Sequence, residues 1–219
     1  MAEISLEPLD LAALLCSRVC HDVISPVGAI VNGLEVLEDE KDADMRAFAL
    51  ELIKKSARTA SARLQFCRLA FGAAGSAGAA IDTGDAENVA RGLFADDRTR
   101  LDWNAPRILL AKNKVKLVLN MCLIAAAAIP RGGVISVTIA DEGAILSVDA
   151  RGVNARVAAH VPGLLAGEPE GGVDAHGIQA YYTGLVARDS GLDLTLESAP
   201  DHVSLSARAP AAAGAEDAG

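Results

Sequence analysis

Apolar residues recur at spacings of four and three between positions 9 and 38: Leu11, Leu15, Val19, Val23, Val27, Ile30, Leu34 and Leu37. That spacing lines one face of an α-helix. The charged stretch 38–44 (Glu-Asp-Glu-Lys-Asp-Ala-Asp) predicts a turn, and a second stripe follows at Met45, Ala49, Leu52, Ser56, Ala60, Leu64, Cys67 and Phe71. Two long amphipathic helices joined by a short turn make an antiparallel hairpin. One hairpin cannot cover two apolar stripes, whereas two hairpins can, so the pattern predicts a homodimer built on a four-helix bundle.

The stretch 72–78 (Gly-Ala-Ala-Gly-Ser-Ala-Gly) breaks this pattern and sets the expected boundary between a hairpin domain at 1–75 and a second domain at 76–208. Beyond it, Asp85 is expected to cap a short helix reaching Phe94, and Asn113 to cap one from 114 to 129 that ends at Pro130 and Gly132-Gly133. Strands are expected at 134–139 and 144–148 around an Asp-Glu-Gly turn, a helix at 176–190, and closing strands at 192–197 and 203–207. The fold class is therefore α+β, a helical hairpin followed by a small α/β sandwich. The Ala/Gly-rich tail at 209–219 is expected to be disordered.

Composition narrows the function. The 219 residues carry a formal charge of -9, 51% hydrophobic and only 3% aromatic residues, which argues for an ordered chain rich in helix. The acidic balance argues against a nucleic-acid binder, whose phosphate contacts need a basic face, and against an anionic membrane surface. No unbroken apolar run approaches the ~18 residues of a spanning helix, and the start Met-Ala-Glu-Ile-Ser-Leu-Glu is acidic where a secretory signal is basic. A cytoplasmic location is the expectation. Cys16, Cys20, Cys67 and Cys122 form no C-x-x-C pair, and Cys16-Ser-Arg-Val-Cys20-His21 is one residue too long for haem attachment, so neither haem nor metal is expected.

His21 lies two positions from both Val19 and Val23. At ~100° per residue it points ~160–200° away from the apolar stripe. Its neighbours one turn away are Ser17, Arg18, Ile24 and Ser25, so it is an exposed imidazole able to act as nucleophile or base. Pro26 interrupts the helical pattern five residues later. Inside a helix it costs ~3 kcal/mol and frees the carbonyl four residues earlier, that of Asp22, from its backbone bond.

Cys20-His21-Asp22-Val23-Ile24-Ser25-Pro26-Val27 resembles the H-box of histidine kinase dimerisation domains, in which His, an acid, a small polar residue and Pro follow in this register. The resemblance implies that His21 is phosphorylated on Nε2, that Asp22 holds Nδ1, and that Ser25 tunes transfer or phosphatase behaviour. It continues into the second half as a degenerate histidine kinase ATP-binding domain. Asn120 sits in an N-box-like helix, but the position of the Mg²⁺-holding asparagine is Ile124, which offers no oxygen ligand. In 146–153 Asp149 stands as the adenine-reading carboxylate while Arg151 and Val153 take the glycine positions, and in 174–181 only Gly177 remains of a phosphate loop, preceded by His176.

A His hairpin joined to a domain without an ATP site is similar to the ChpT-type histidine phosphotransferases of alphaproteobacteria, with Ser56-Ala-Arg58 and Phe71-Gly72 also in place. The resemblance implies a cell-cycle phosphorelay without ATP. The donor would be the receiver domain of a CckA-type hybrid histidine kinase and the acceptors response regulators of the CtrA and CpdR types, with Mg²⁺ brought by the receiver. Docking is expected on the face around Ser17, Arg18, Ile24, Pro26 and Gly28, and Arg58, Arg63 and Arg68 on the second helix read as a solvated basic face, with contact to acidic receiver edges as the alternative. Two alternatives are an active histidine kinase lacking a sensor and a non-catalytic dimeric scaffold.

Overall fold

The computed structural model describes residues 6–72, 79–168 and 171–210. Helices α1 (Pro8–Asp39) and α2 (Ala43–Ala70) form the expected antiparallel hairpin. The turn between them is closed by polar groups. The Asp42 carboxylate accepts from the backbone N–H of Asp44 and Met45, both at 3.0 Å, which caps α2. Arg46 donates to the carbonyls of Leu37 and Glu40 at the end of α1. Further along, a Cβ at Gly33 would stand 2.6 Å from Ile53 Cγ1, so glycine is what allows the two helices to approach there.

The hairpin leaves much of its apolar surface bare. Only Pro26 and Gly33 are buried on α1, whereas Ile24, Val27, Val31 and Leu34 on α1 and Met45, Phe48 and Leu52 on α2 are exposed. By length and composition alone α1 is apolar enough to cross a bilayer. Its packing along α2 and the Arg18, His21 and Asp22 side chains in its midst suit a bundle helix instead.

The second half is a two-layer structure. Strands β1 (Ala80–Asp82) and β3 (Leu109–Ala111) pair as a small antiparallel sheet. The main sheet runs in the order β2 (Thr99–Asn104), β4 (Gly133–Ala140), β5 (Ile145–Arg151), β7 (His202–Arg208), β6 (Asp193–Ala199), with β2 and β4 parallel and every other pair antiparallel. One face of the sheet is covered by α3 (Thr83–Phe94), α4 (Lys112–Ala128) and α6 (Ile178–Asp189), while α5 (Val161–Ala166) packs on α6. Alternate residues of β5 (Leu146, Val148, Ala150) and β7 (Val203, Leu205, Ala207) are buried under those helices, as an antiparallel sheet with one covered face requires. Helix α4 is apolar nearly all round because the sheet, α2, α3 and α6 all contact it.

Several local expectations are corrected. Asp82, not Asp85, caps α3, accepting from Gly84 N–H at 2.7 Å. Helix α4 starts at Lys112 straight out of β3 with Ala111 at its cap, and Asn113 instead bonds Asp189 of α6. Strand β2 was not expected: its Thr-Arg-Leu-Asp-Trp-Asn sequence is polar because it is an edge strand, with Arg100 and Asp102 paired at 2.8 Å. Residues 73–78 of the expected boundary and the tail from 211 lie outside the described residues. The end of α2 belongs to the core of the second half. Phe66 meets Phe94 edge-on at 5.2 Å, and Phe66, Leu69 and Ala70 join the cluster built around α4.

Candidate functional site

Ser17, His21, Ile24, Ser25 and Gly28 follow one another at helical spacing on the face of α1 turned away from α2. The His21 side chain is 73% exposed, Ile24 is 70% exposed, and Ser17 and Ser25 are exposed. A Cβ at Gly28 would meet nothing within 4 Å. These residues therefore form an open surface centred on an imidazole. Pro26 does not belong to it: five residues on from His21, it has turned ~140° towards α2 and is buried there, so the expectation of a docking role for Pro26 is corrected.

Asp22 and Arg18 occupy the flank between the open face and α2. The Asp22 carboxylate lies 3.5 Å from His21 Nδ1 through Oδ1 and 3.0 Å from Arg18 Nε through Oδ2. The first distance is long for a hydrogen bond, but a carboxylate so placed favours the proton on Nδ1 and leaves the Nε2 lone pair for chemistry. Arg18 is thus engaged in holding Asp22 from within α1, with only 27% of its side chain exposed.

The carbonyl freed by Pro26 is satisfied across the hairpin. Arg63 of α2 donates from its guanidinium to Asp22 O, so Arg63 is a structural cap, and the expectation of a solvated arginine face holds only for the exposed Arg58 and Arg68. Asp22 is thereby gripped at both ends, by Arg18 at its carboxylate and by Arg63 at its carbonyl. Cys67 lines the same recess, and burial with the Asp22 charge nearby raises its thiol to about 11, which keeps it protonated and unreactive. A coupled effect is expected. Arg63→Met should cost about 1–3 kcal/mol by leaving a partly buried carbonyl unpaired, and markedly less in a Pro26→Ala background, where the backbone regains an N–H that can take the bond. Urea denaturation of the four proteins in a double-mutant cycle measures the coupling; equal costs in both backgrounds would refute it.

The positions that resemble a nucleotide site are absorbed into packing. Asn120 is buried and donates to Ala70 O at 3.0 Å and Lys116 O at 2.9 Å, tying α4 to the end of α2, while Ile124 lies in the core. Asp149 is turned away from the helices. The period of two along β5 sends it to the face opposite the helices, where it pairs with His202 Nε2 at 2.8 Å, and the residue turned towards α4 is Ala150. Gly177 lies against α5, where a Cβ would stand 3.0 Å from Leu164 Cδ1.

Residues 83–202 match the family model described as the histidine phosphotransferase C-terminal domain. The chain is 51% identical over 207 residues to the protein phosphotransferase ChpT of Brucella abortus (strain 2308), covering 93% of this chain and 98% of that one. It is also similar to a solved structure described as a bacterial phosphotransferase, with 47% identity, a TM-score of 0.85, and coverage of 95% of this chain and all of the other.

Proposed function

Since the chain belongs to the histidine phosphotransferase family, we propose that His21 is the residue that carries the phosphoryl group between receiver aspartates in a phosphorelay. The observation that carries this reading is the exposed His21 imidazole whose Nδ1 faces Asp22. In the forward step the Nε2 lone pair attacks the phosphorus of a receiver aspartyl phosphate. The N–P bond forms, the P–O bond to the carboxylate breaks, and the carboxylate leaves. The ring becomes cationic, its proton on Nδ1 beside the Asp22 charge, and the step reverses onto a second receiver. Transfer of this kind has a loose, in-line transition state and needs chiefly positioning and a metal, which the receiver supplies as Mg²⁺.

ATP is not part of the reaction. Ala150, Ile124 and a paired Asp149 leave neither a carboxylate for adenine nor an oxygen ligand for Mg²⁺ where the kinase pattern needs them. The apolar stripes left bare on α1 and α2 support a homodimer through a four-helix bundle. The sequence resemblance supports a cytoplasmic cell-cycle relay fed by a CckA-type receiver and feeding CtrA- and CpdR-type regulators, with Ser25 as the tuning residue. The test offers the protein a receiver carrying labelled aspartyl phosphate in one lane and labelled ATP in another. Label arriving from the receiver alone is the expected result; label taken from ATP would make the chain a kinase, and none in either lane would leave a scaffold.

Gly28 tests the docking face separately from the fold. Gly28→Ala gains about 0.5–1 kcal/mol of helix stability because its Cβ points into open space. The larger Gly28→Ile keeps the melting temperature near wild type but should raise the KM for a phosphorylated receiver about tenfold by filling the space seven residues along from His21. An unchanged KM would remove Gly28 from the docking surface.

A further inference from the structure

The second half brings an imidazole beside that of His21. His176, on the turn before α6, stands edge-on to His21 with ring centroids 6.2 Å apart and ring planes at 76°. Both rings are exposed, and among the described residues the His176 ring has no hydrogen bond or ion pair of its own. Resting on the reading of His21 as phospho-acceptor, we infer that His176 is a phosphoryl-binding residue that donates a hydrogen bond to the oxygens of the group on His21 Nε2.

The separation suits this role. Centroids at 6.2 Å set the two rings as edge-to-face neighbours. A tetrahedral group on Nε2 projects beside the second ring, which brings its oxygens within the reach of about 2.7–3.2 Å that an N–H···O bond needs.

The placement is held by the fold. The Asp174 carboxylate accepts from the backbone N–H of His176 at 3.0 Å and of Gly177 at 2.7 Å, bonds that lower its pKa and fix the turn. Leu6, Leu11, Leu14 and Leu15 pack on Leu164, Ile178 and Tyr181, and Leu6 N–H reaches Tyr181 Oη at 3.3 Å. A domain that delivers ATP to a histidine must approach and withdraw. This one is stitched to the helix that bears the histidine, so a side chain it presents there is present throughout the reaction. The loss of the phosphate loop at 174–177 then has a second aspect, because the position just before Gly177 now carries an imidazole that faces the transferred group.

Phosphoramidate, a small phosphoryl donor, tests this without any receiver. Nε2 of His21 attacks its phosphorus, the bond to nitrogen breaks, and ammonia leaves. On loading of the wild type, the ¹⁵N–¹H signals of the His176 ring should move, and phosphorylation at His21 should be about tenfold slower in His176→Ala. His176→Gln, which keeps a donor, should recover to within about threefold, and all three proteins should melt alike. Still ring signals, an unimpaired His176→Ala, a Gln variant as slow as the Ala variant, or a wild type that takes no phosphoryl group would each overturn the inference. If the phosphoramidate results hold while receivers transfer nothing, the relay reading fails and the role of His176 stands.

Discussion

The His21→Ala protein is expected to take no label from a phosphorylated receiver, a loss of at least about a thousandfold in transfer rate. The reason is chemical. Transfer needs a nitrogen lone pair in line with the breaking P–O bond, and among the described residues no other imidazole has a carboxylate beside Nδ1 on the open face of α1. His202 is paired with Asp149 on the far side of the sheet, and His176 is placed to bind oxygens. Neither the buried Cys67, held protonated, nor the still more deeply buried Cys122, whose thiol is raised further by burial, offers a substitute. The fold should not notice the change. His21 is 73% exposed and its neighbours Arg18 and Asp22 keep their own 3.0 Å bridge, so the cost in stability should lie within about 0.5 kcal/mol. Autoradiography beside a thermal melt separates the two outcomes, and label retained by His21→Ala would displace His21 from the centre of the reaction.

What could be read from the sequence follows a physical division between local and distant causes. The exposure of His21 was legible because a helix fixes angles: two residues from a stripe position is the opposite side. The need of Asp22 for a carbonyl partner was legible too, since proline removes the donor in a known place. The partner itself was not, because Arg63 lies 41 residues away and an arginine on a helix face reads equally well as solvated. Strands β1 and β3, of three residues each, are too short to show a period. The outward side of Asp149 was not legible for a related reason: a strand sends alternate residues to opposite faces, and a register shift of one residue exchanges an inner position for an outer one. The contact of His176 with His21 joins residues from two halves of the chain, and it depends on packing between them, of the leucines of α1 on α5 and α6 and of the end of α2 on α3 and α4.

The paired substitution Val31→Asp/Leu34→Asp should convert the protein from dimer to monomer in sedimentation at micromolar concentration. These side chains are 48% and 49% exposed in the single chain, so aspartate there meets water, and far-UV circular dichroism should be preserved. In a bundle of two hairpins the same positions face the other copy. Each apolar side chain withdrawn from water contributes about 1.5–3 kcal/mol, and an unpaired carboxylate in its place adds a desolvation penalty. With both positions doubled by symmetry, the association weakens by at least about a thousandfold. Wild type sedimenting as a monomer, or a variant that remains dimeric, would sink the four-helix bundle and leave the exposed stripe to another partner. Arg18, Asp22, Arg63 and His176 all reach His21 or its neighbours within one chain. The monomeric variant should therefore keep the internal geometry of the site and still accept phosphoryl groups from phosphoramidate. On the proposed reading, dimerisation and phospho-acceptance are separable: the first depends on side chains that the hairpin leaves bare, the second on contacts made within one chain.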